Sequence, residues 1–98
     1  MPILLDLNNA EFQAKWFALE KEDRAAVLQT CVKLSAMEWN DVYKDHGLNW
    51  EMIKSRDSPD GSRIYSIRVS RKFRAAVLRR GKALSFVSLH PNHDSAYH

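Results

Sequence analysis

Residues 63–89, RIYSIRVSRKFRAAVLRRGKALSFVSL, decide the fold class of this chain. Apolar and polar side chains alternate over residues 63–70, which is the periodicity of a β-strand with one buried face. Residues 73–79 and 83–89 have the composition of two further strands, and Arg80-Gly81-Lys82 between them predicts a hairpin turn. This segment therefore predicts an antiparallel sheet.

The pattern is different before Gly47, where apolar residues recur at helical spacing. Asn8 or Asn9 is expected to cap the first helix. The predicted elements, in order, are a strand over 2–7, a helix that follows this cap and carries Phe12, Trp16 and Leu19 on one face, helices over 23–37 and 37–46, a strand over 48–55 and a turn over 58–61. We therefore expect one α+β domain over residues 1–98: an N-terminal strand and two to three helices packed on one face of a C-terminal antiparallel sheet. Arg68 and Arg74 are expected to point outward together from the opposite face.

Composition excludes several classes of protein. The chain of 98 residues is 45% hydrophobic and 28% charged, with three glycines and three prolines, which excludes a disordered or collagen-like chain. One cysteine, Cys31, excludes an intramolecular disulfide. No run approaches the ~18 apolar residues of a membrane helix, and the start has no basic segment before an apolar one. We therefore expect a cytoplasmic protein without a membrane partner.

Charge is distributed unevenly along the chain. The net charge is +3, but residues 1–50 hold 5 basic and 8 acidic side chains, whereas residues 51–98 hold 10 basic and 4 acidic ones. A basic half of this kind is typical of a protein that binds a polyanion such as nucleic acid. A solvated basic sheet face, masked by an acidic partner, would have the same composition.

The first candidate site is the basic cluster Arg68, Arg71, Lys72 and Arg74. Guanidinium groups bind phosphate through paired hydrogen bonds and stay charged at physiological pH. Arg68 and Arg74 fall on adjacent predicted strands, so they could converge on one phosphate. The same spacing also fits an exposed hairpin that charge keeps soluble.

The second candidate site is the segment 90–97, HPNHDSAY, which holds His90, His93, Asp94 and Tyr97. Histidine can give or take a proton near neutral pH, and Asp94 could orient a histidine or act as a base. The alternatives are a frayed polar tail, two histidines that ligate a metal ion, and a Tyr97 that only anchors the tail to the core. The three tryptophans are interpreted as core residues rather than as a base-stacking surface. Cys31 is interpreted as a small buried hydrophobic residue.

Taken together and in this order, the segment 64–77 and the HPNHDSAY segment resemble the RelE/ParE superfamily of toxins from type II toxin–antitoxin systems. More narrowly, they resemble its cytotoxic translational repressors. The resemblance implies a small α+β fold and, for RelE-like members, a ribosome-dependent endoribonuclease that cuts mRNA and blocks translation. It also implies a cognate antitoxin as partner, with the ribosome and mRNA, and no metal or other cofactor.

The resemblance assigns roles to individual residues. Arg68 and Arg74 match phosphate-binding residues of the family, with Arg71 and Lys72 in the turn between them. Tyr97 matches a C-terminal tyrosine that can pack on a base or assist proton transfer. His90 and His93 stand where relatives carry a catalytic basic residue. We expect His93 with Asp94 as one acid–base partner, and His90 or Tyr97 as the other.

Two other functions stay open on the same fold. ParE-like members inhibit DNA gyrase by binding, without an acid–base set at the tail. A non-toxic member would only bind antitoxin or nucleic acid. Fold alone does not choose between these functions.

Overall fold

The computed structural model describes residues 2–91. Within this range, only the backbone of residues 55–57 is described. The elements in chain order are β1 (Leu4–Asp6), α1 (Ala10–Ala18), α2 (Lys21–Ser35), α3 (Trp39–Lys44), β2 (Glu51–Asp57), β3 (Arg63–Arg68), β4 (Arg74–Arg80) and β5 (Ala83–His90). The predicted α+β class, with an N-terminal strand, helices and a C-terminal sheet, is confirmed. No helix of the described residues is long and apolar enough to cross a membrane.

The sheet has five strands in the order β1-β5-β4-β3-β2. Strands β2 to β5 form an antiparallel meander, which agrees with the predicted C-terminal antiparallel sheet. β1 joins the edge of this sheet parallel to β5, with Leu5 opposite Leu84. The sheet is therefore mixed, a pairing that the sequence pattern does not predict, and β5 lies in its interior, as expected of a strand with apolar residues on both faces.

The helices pack on one face of the sheet. Phe12 of α1 is fully buried and its ring lies 5.1 Å from that of Phe86 on β5. Val27, Cys31 and Leu34 of α2 are all buried, which confirms the interpretation of Cys31 as a core residue. Burial of such side chains against the sheet is the main favourable term holding this face together.

Local chemistry accounts for where the elements begin and end. Asn9 caps α1, its side chain accepting a hydrogen bond from the Phe12 N–H at 2.9 Å. α3 begins at Trp39 rather than at Met37, because Glu38 is extended and its N–H donates to the Asp41 carboxylate at 3.3 Å. β2 begins at Glu51 rather than at residue 48.

Two glycines close the predicted turns. Gly61 has φ of 85° and donates to the Ser58 carbonyl at 2.9 Å, and Gly81 has φ of 60°. A positive φ is strained for other residues, so both turns need glycine at these positions. The Gly81 turn joins β4 to β5, whose register places Arg74 opposite His90.

Candidate functional site

Three candidate residues form one row across neighbouring strands, which we call the Arg–Arg–His row: Arg68, Arg74 and His90. Arg68 lies opposite Arg74 in the β3–β4 register, and Arg74 lies opposite His90 in the β4–β5 register. The neighbour of each in sequence is buried in the core shared with the helices: Ile67, Ala75 and Leu89. Because side chains alternate along a strand, the row occupies the face opposite the helices and spans roughly 10 Å across three strands.

Arg74 does not point outward, and this part of the expectation is wrong. It is 1% exposed, although it lies on the predicted face. Its Nη2 donates to Ser66 Oγ at 2.5 Å and to the Asn49 carbonyl at 3.2 Å, and lies 3.9 Å from a Glu51 carboxylate oxygen. The guanidinium turns back across β3 because Ser66 is small enough to leave room for it.

Burial changes what Arg74 can contribute to the site. Its charge is screened by water much less than that of an exposed arginine. Arg68, directly opposite, is exposed and can reach a ligand in solvent. The pair therefore places one fixed guanidinium beneath the surface, beside the Glu51 carboxylate, and one mobile guanidinium above it that can contact an anion at this end of the sheet.

His90 supplies the titratable group of the row. Its Nε2 lies 2.8 Å from Ser88 Oγ, and Ser88 is two residues away on the same strand. This hydrogen bond limits rotation of the imidazole, which can then transfer a proton to or from a bound molecule. His90 is only half-buried, so a bound molecule can reach it.

Arg71 and Lys72 lie in the turn between β3 and β4, and both are exposed. The turn is held by the Val69 N–H, which donates to the Phe73 carbonyl at 2.8 Å. Phe73 is 2% exposed and anchors the turn in the core. The turn thus adds two solvated cations to the end of the sheet that carries Arg68.

The remaining predicted residues, His93, Asp94 and Tyr97, lie outside the described residues. Their predicted roles stay predictions.

Sequence reasoning missed three neighbours of Arg74 and His90, namely Ser66, Asn49 and Ser88. Alternation along β3 already places Ser66 on the face of Arg68, so this residue could have been found. The Asn49 carbonyl could not, because it comes from the loop before β2 and reaches Arg74 only through folding.

Among the described residues, the carboxylates with perturbed pKa values are Asp45 and Asp60, and neither belongs to the row. The Lys33 ammonium, by its hydrogen bond, lowers the pKa of Asp45, with the Leu48 N–H adding to the effect. Hydrogen bonds from the Ser58 hydroxyl and the Ser62 N–H hold the pKa of Asp60 well below its usual range. A general base works best with a pKa near the working pH. Because both pKa values are lowered, these carboxylates are weaker bases and do not suit that role.

Comparison with known proteins finds no family model, no curated protein and no solved structure that matches this chain.

Proposed function

We propose that this chain is the toxin of a type II toxin–antitoxin system, a RelE-like endoribonuclease that cleaves mRNA on the ribosome without a metal ion. The observation that carries the proposal is the Arg–Arg–His row, which combines two guanidinium groups with an imidazole on one sheet face. Phosphate binding and proton transfer are the two requirements of RNA cleavage. The α+β fold and the basic second half agree with what the resemblance implies.

The reaction begins when the 2′-hydroxyl of a ribose attacks its own 3′-phosphate. A general base takes the 2′ proton while the new O–P bond forms, and Arg68 stabilises the charge that develops on the phosphorane. The bond from phosphorus to the 5′-oxygen then breaks, and a general acid protonates the departing oxygen. The products are a 2′,3′-cyclic phosphate and a 5′-hydroxyl, and no water is consumed.

In this scheme His90 is one acid–base group, and Arg74 positions the site. The buried guanidinium links β3, β4 and the loop before β2 through Ser66 and Asn49, and it adds positive charge beneath the phosphate. The second acid–base group comes from the tail, with His93 assisted by Asp94, or Tyr97, as the candidates.

The experiment is induction of the chain in a bacterial host, with and without its genomic neighbour, while new protein and new DNA are labelled separately. Protein labelling should stop quickly and co-expression of the neighbour should restore it. Primer extension should find fresh cuts inside translated codons, with cyclic phosphate at the 3′ ends. A halt in DNA labelling with intact mRNA would instead identify a gyrase inhibitor, and an absence of effect would identify a non-toxic binder.

Variants connect this activity to the row. Arg68→Gln should lower the rate of cleavage about 10²–10³-fold, as removal of one stabilising donor does. His90→Gln should lower it about 10²–10⁴-fold, as loss of a general acid or base does. Arg24→Gln, which removes an exposed arginine from α2, is the matched control and should retain full activity. Full activity in both row variants would refute the proposed site.

A further inference from the structure

A second surface combines aromatic and cationic side chains at the other end of the sheet. Trp39 and Tyr43 of α3, Trp50 before β2 and Tyr65 of β3 form a continuous group of rings, with centroids 4.6–5.7 Å apart in successive contacts. The sequence pattern favours a core position for the tryptophans. Both Trp39 and Trp50 do pack against the core, but they are only half-buried, and Tyr43 is 45% exposed.

Arg79 of β4 is fixed on this group of rings. Its guanidinium carbon lies 4.3 Å from the centre of the Trp39 ring, which is a cation–π contact. Its Nη1 donates to Tyr43 Oη at 2.7 Å and its Nε to the Gly81 carbonyl at 2.8 Å. These contacts hold a flat cation beside partly exposed aromatic rings, and no carboxylate of the described residues forms an ion pair with it.

Beside Arg79 lies a depression of about 380 Å³, which we call the aromatic hollow. Its aromatic side is formed by Tyr43, Trp50 and Tyr65, and its cationic side by Arg63 and Arg79. No carboxylate lines it among the described residues. The volume falls within the roughly 300–1,000 Å³ of small-ligand sites.

The chemistry of the hollow favours one class of ligand. Single-stranded nucleic acid is bound by aromatic rings that stack on bases and by cations that contact the backbone phosphates. Rings packed only to fill a core would be covered, and would not need two guanidinium groups at their edge. We infer that the aromatic hollow binds a nucleotide of single-stranded RNA, an inference that rests on the proposed RNA substrate but not on cleavage.

The hollow is separate from the Arg–Arg–His row. Tyr65 lies on the helix-facing side of the sheet, two residues before the core residue Ile67, whereas the row lies on the opposite face. Arg79 is five residues beyond Arg74 along β4, which is roughly 16 Å of strand. The hollow is therefore a second contact on the RNA and contributes affinity without touching the scissile phosphate.

Binding can be measured by fluorescence anisotropy with a labelled twelve-nucleotide uridine RNA, which has no structure of its own. Tyr43→Leu should weaken binding by about 5-fold or more, the usual effect of losing one base–aromatic stack. Arg63→Gln should reduce the slope of log K against log[salt] by about 0.7, as loss of one phosphate contact on a single strand does. The matched controls are Phe17→Leu, an exposed aromatic of α1, and Arg24→Gln, and both should bind like the unmodified chain.

A second readout reports the stacking itself. The chain has three tryptophans, so Trp16→Phe leaves Trp39 and Trp50 as the only sources of tryptophan fluorescence. The RNA should quench this fluorescence, and Tyr43→Leu should reduce the quench at a given RNA concentration. Equal binding by the hollow variants and the controls, or an unmodified chain that does not bind the RNA, would overturn the inference.

The outcomes separate this inference from the proposed function. Unchanged RNA binding by the hollow variants, with cleavage that still depends on Arg68, would overturn the hollow alone. Hollow-dependent binding by a chain that never cuts mRNA would overturn the endoribonuclease alone. If Tyr43→Leu leaves RNA binding intact but releases the protein encoded by the genomic neighbour, the hollow is a protein interface, and the inference fails.

Discussion

Replacing Arg74 by methionine tests whether this buried arginine holds the site together. The change keeps the length and the apolar stem of the side chain but removes both hydrogen bonds of Nη2. Ser66 is fully buried, and its hydroxyl loses the hydrogen bond from a charged donor, which is worth about 1.5–3 kcal/mol. The Asn49 carbonyl belongs to an exposed residue that water can reach, so losing the hydrogen bond from Arg74 to this carbonyl costs about 0.5–1.5 kcal/mol.

Two smaller terms act on the same balance. Glu51 is 53% exposed and 3.9 Å away, so its ion pair contributes at most about 1 kcal/mol. Removing a buried cation also relieves its desolvation, which opposes the losses. The hydrogen-bond losses are larger than the relief of desolvation. We therefore expect Arg74→Met to lower the free energy of unfolding by about 2 kcal/mol. For a domain of this size that lowers Tm by about 8–16 °C.

The assay is urea unfolding followed by circular dichroism, with thermal scans as a check. Arg68→Met is the matched control, because Arg68 lies directly opposite on β3 but is exposed; its effect should stay within about 0.5 kcal/mol. A double-mutant cycle with Ser66→Ala isolates the shared hydrogen bond and should give a coupling of about 1 kcal/mol. Equal stabilities of the two methionine variants, or a coupling of zero, would refute the reasoning.

Three further predictions concern the scaffold. Asn9→Ala should lower stability by about 1 kcal/mol through loss of the α1 cap, whereas Asn8→Ala should cost less; equal losses in urea titrations would contradict the assignment of the cap. Burial raises the pKa of the Cys31 thiol to about 11, so at pH 8 an aromatic disulfide reagent should label it only after unfolding, and rapid labelling of the folded chain would count against its burial. The Lys33 ammonium lowers the pKa of Asp45, so the stabilisation is present above the ordinary carboxyl range and is lost as pH falls through the lower folded value. Unfolding at pH 6 and at about pH 3 should therefore show a larger loss for the unmodified chain than for Asp45→Asn, and parallel losses would show that the ion pair contributes nothing.

The secondary structure follows closely from short-range pattern. The alternation of Tyr65 and Ile67 with Ser66 and Arg68 identifies β3 and assigns its two faces, and Gly81 marks the turn that follows β4. These features depend on residues within a few positions of one another, where side-chain periodicity and backbone preference act directly. The ends of the elements are less predictable, because contacts from elsewhere, such as the extended Glu38, decide where each one stops.

The candidate site is likewise only partly predictable from the sequence. That Arg68 and Arg74 lie on adjacent strands can be read from the sequence. His90 is predicted just after the last strand, and only its pairing with Arg74 on β5 brings it into the row. The solvent exposure of each side chain cannot be read in this way. Arg74 and Arg68 share a face and a residue type, yet only Arg74 has a buried hydroxyl and a loop carbonyl within reach.

By itself, the sequence determined the α+β class, the meander of β2 to β5 and the basic end of the sheet, because each follows from local periodicity and composition. Only the tertiary structure decided that β1 lies parallel to β5, that Arg74 is buried, and that the rings around Arg79 are partly exposed. Each of these depends on residues far apart in the chain that meet only after folding, so exposure and partnership are properties of packing and not of pattern.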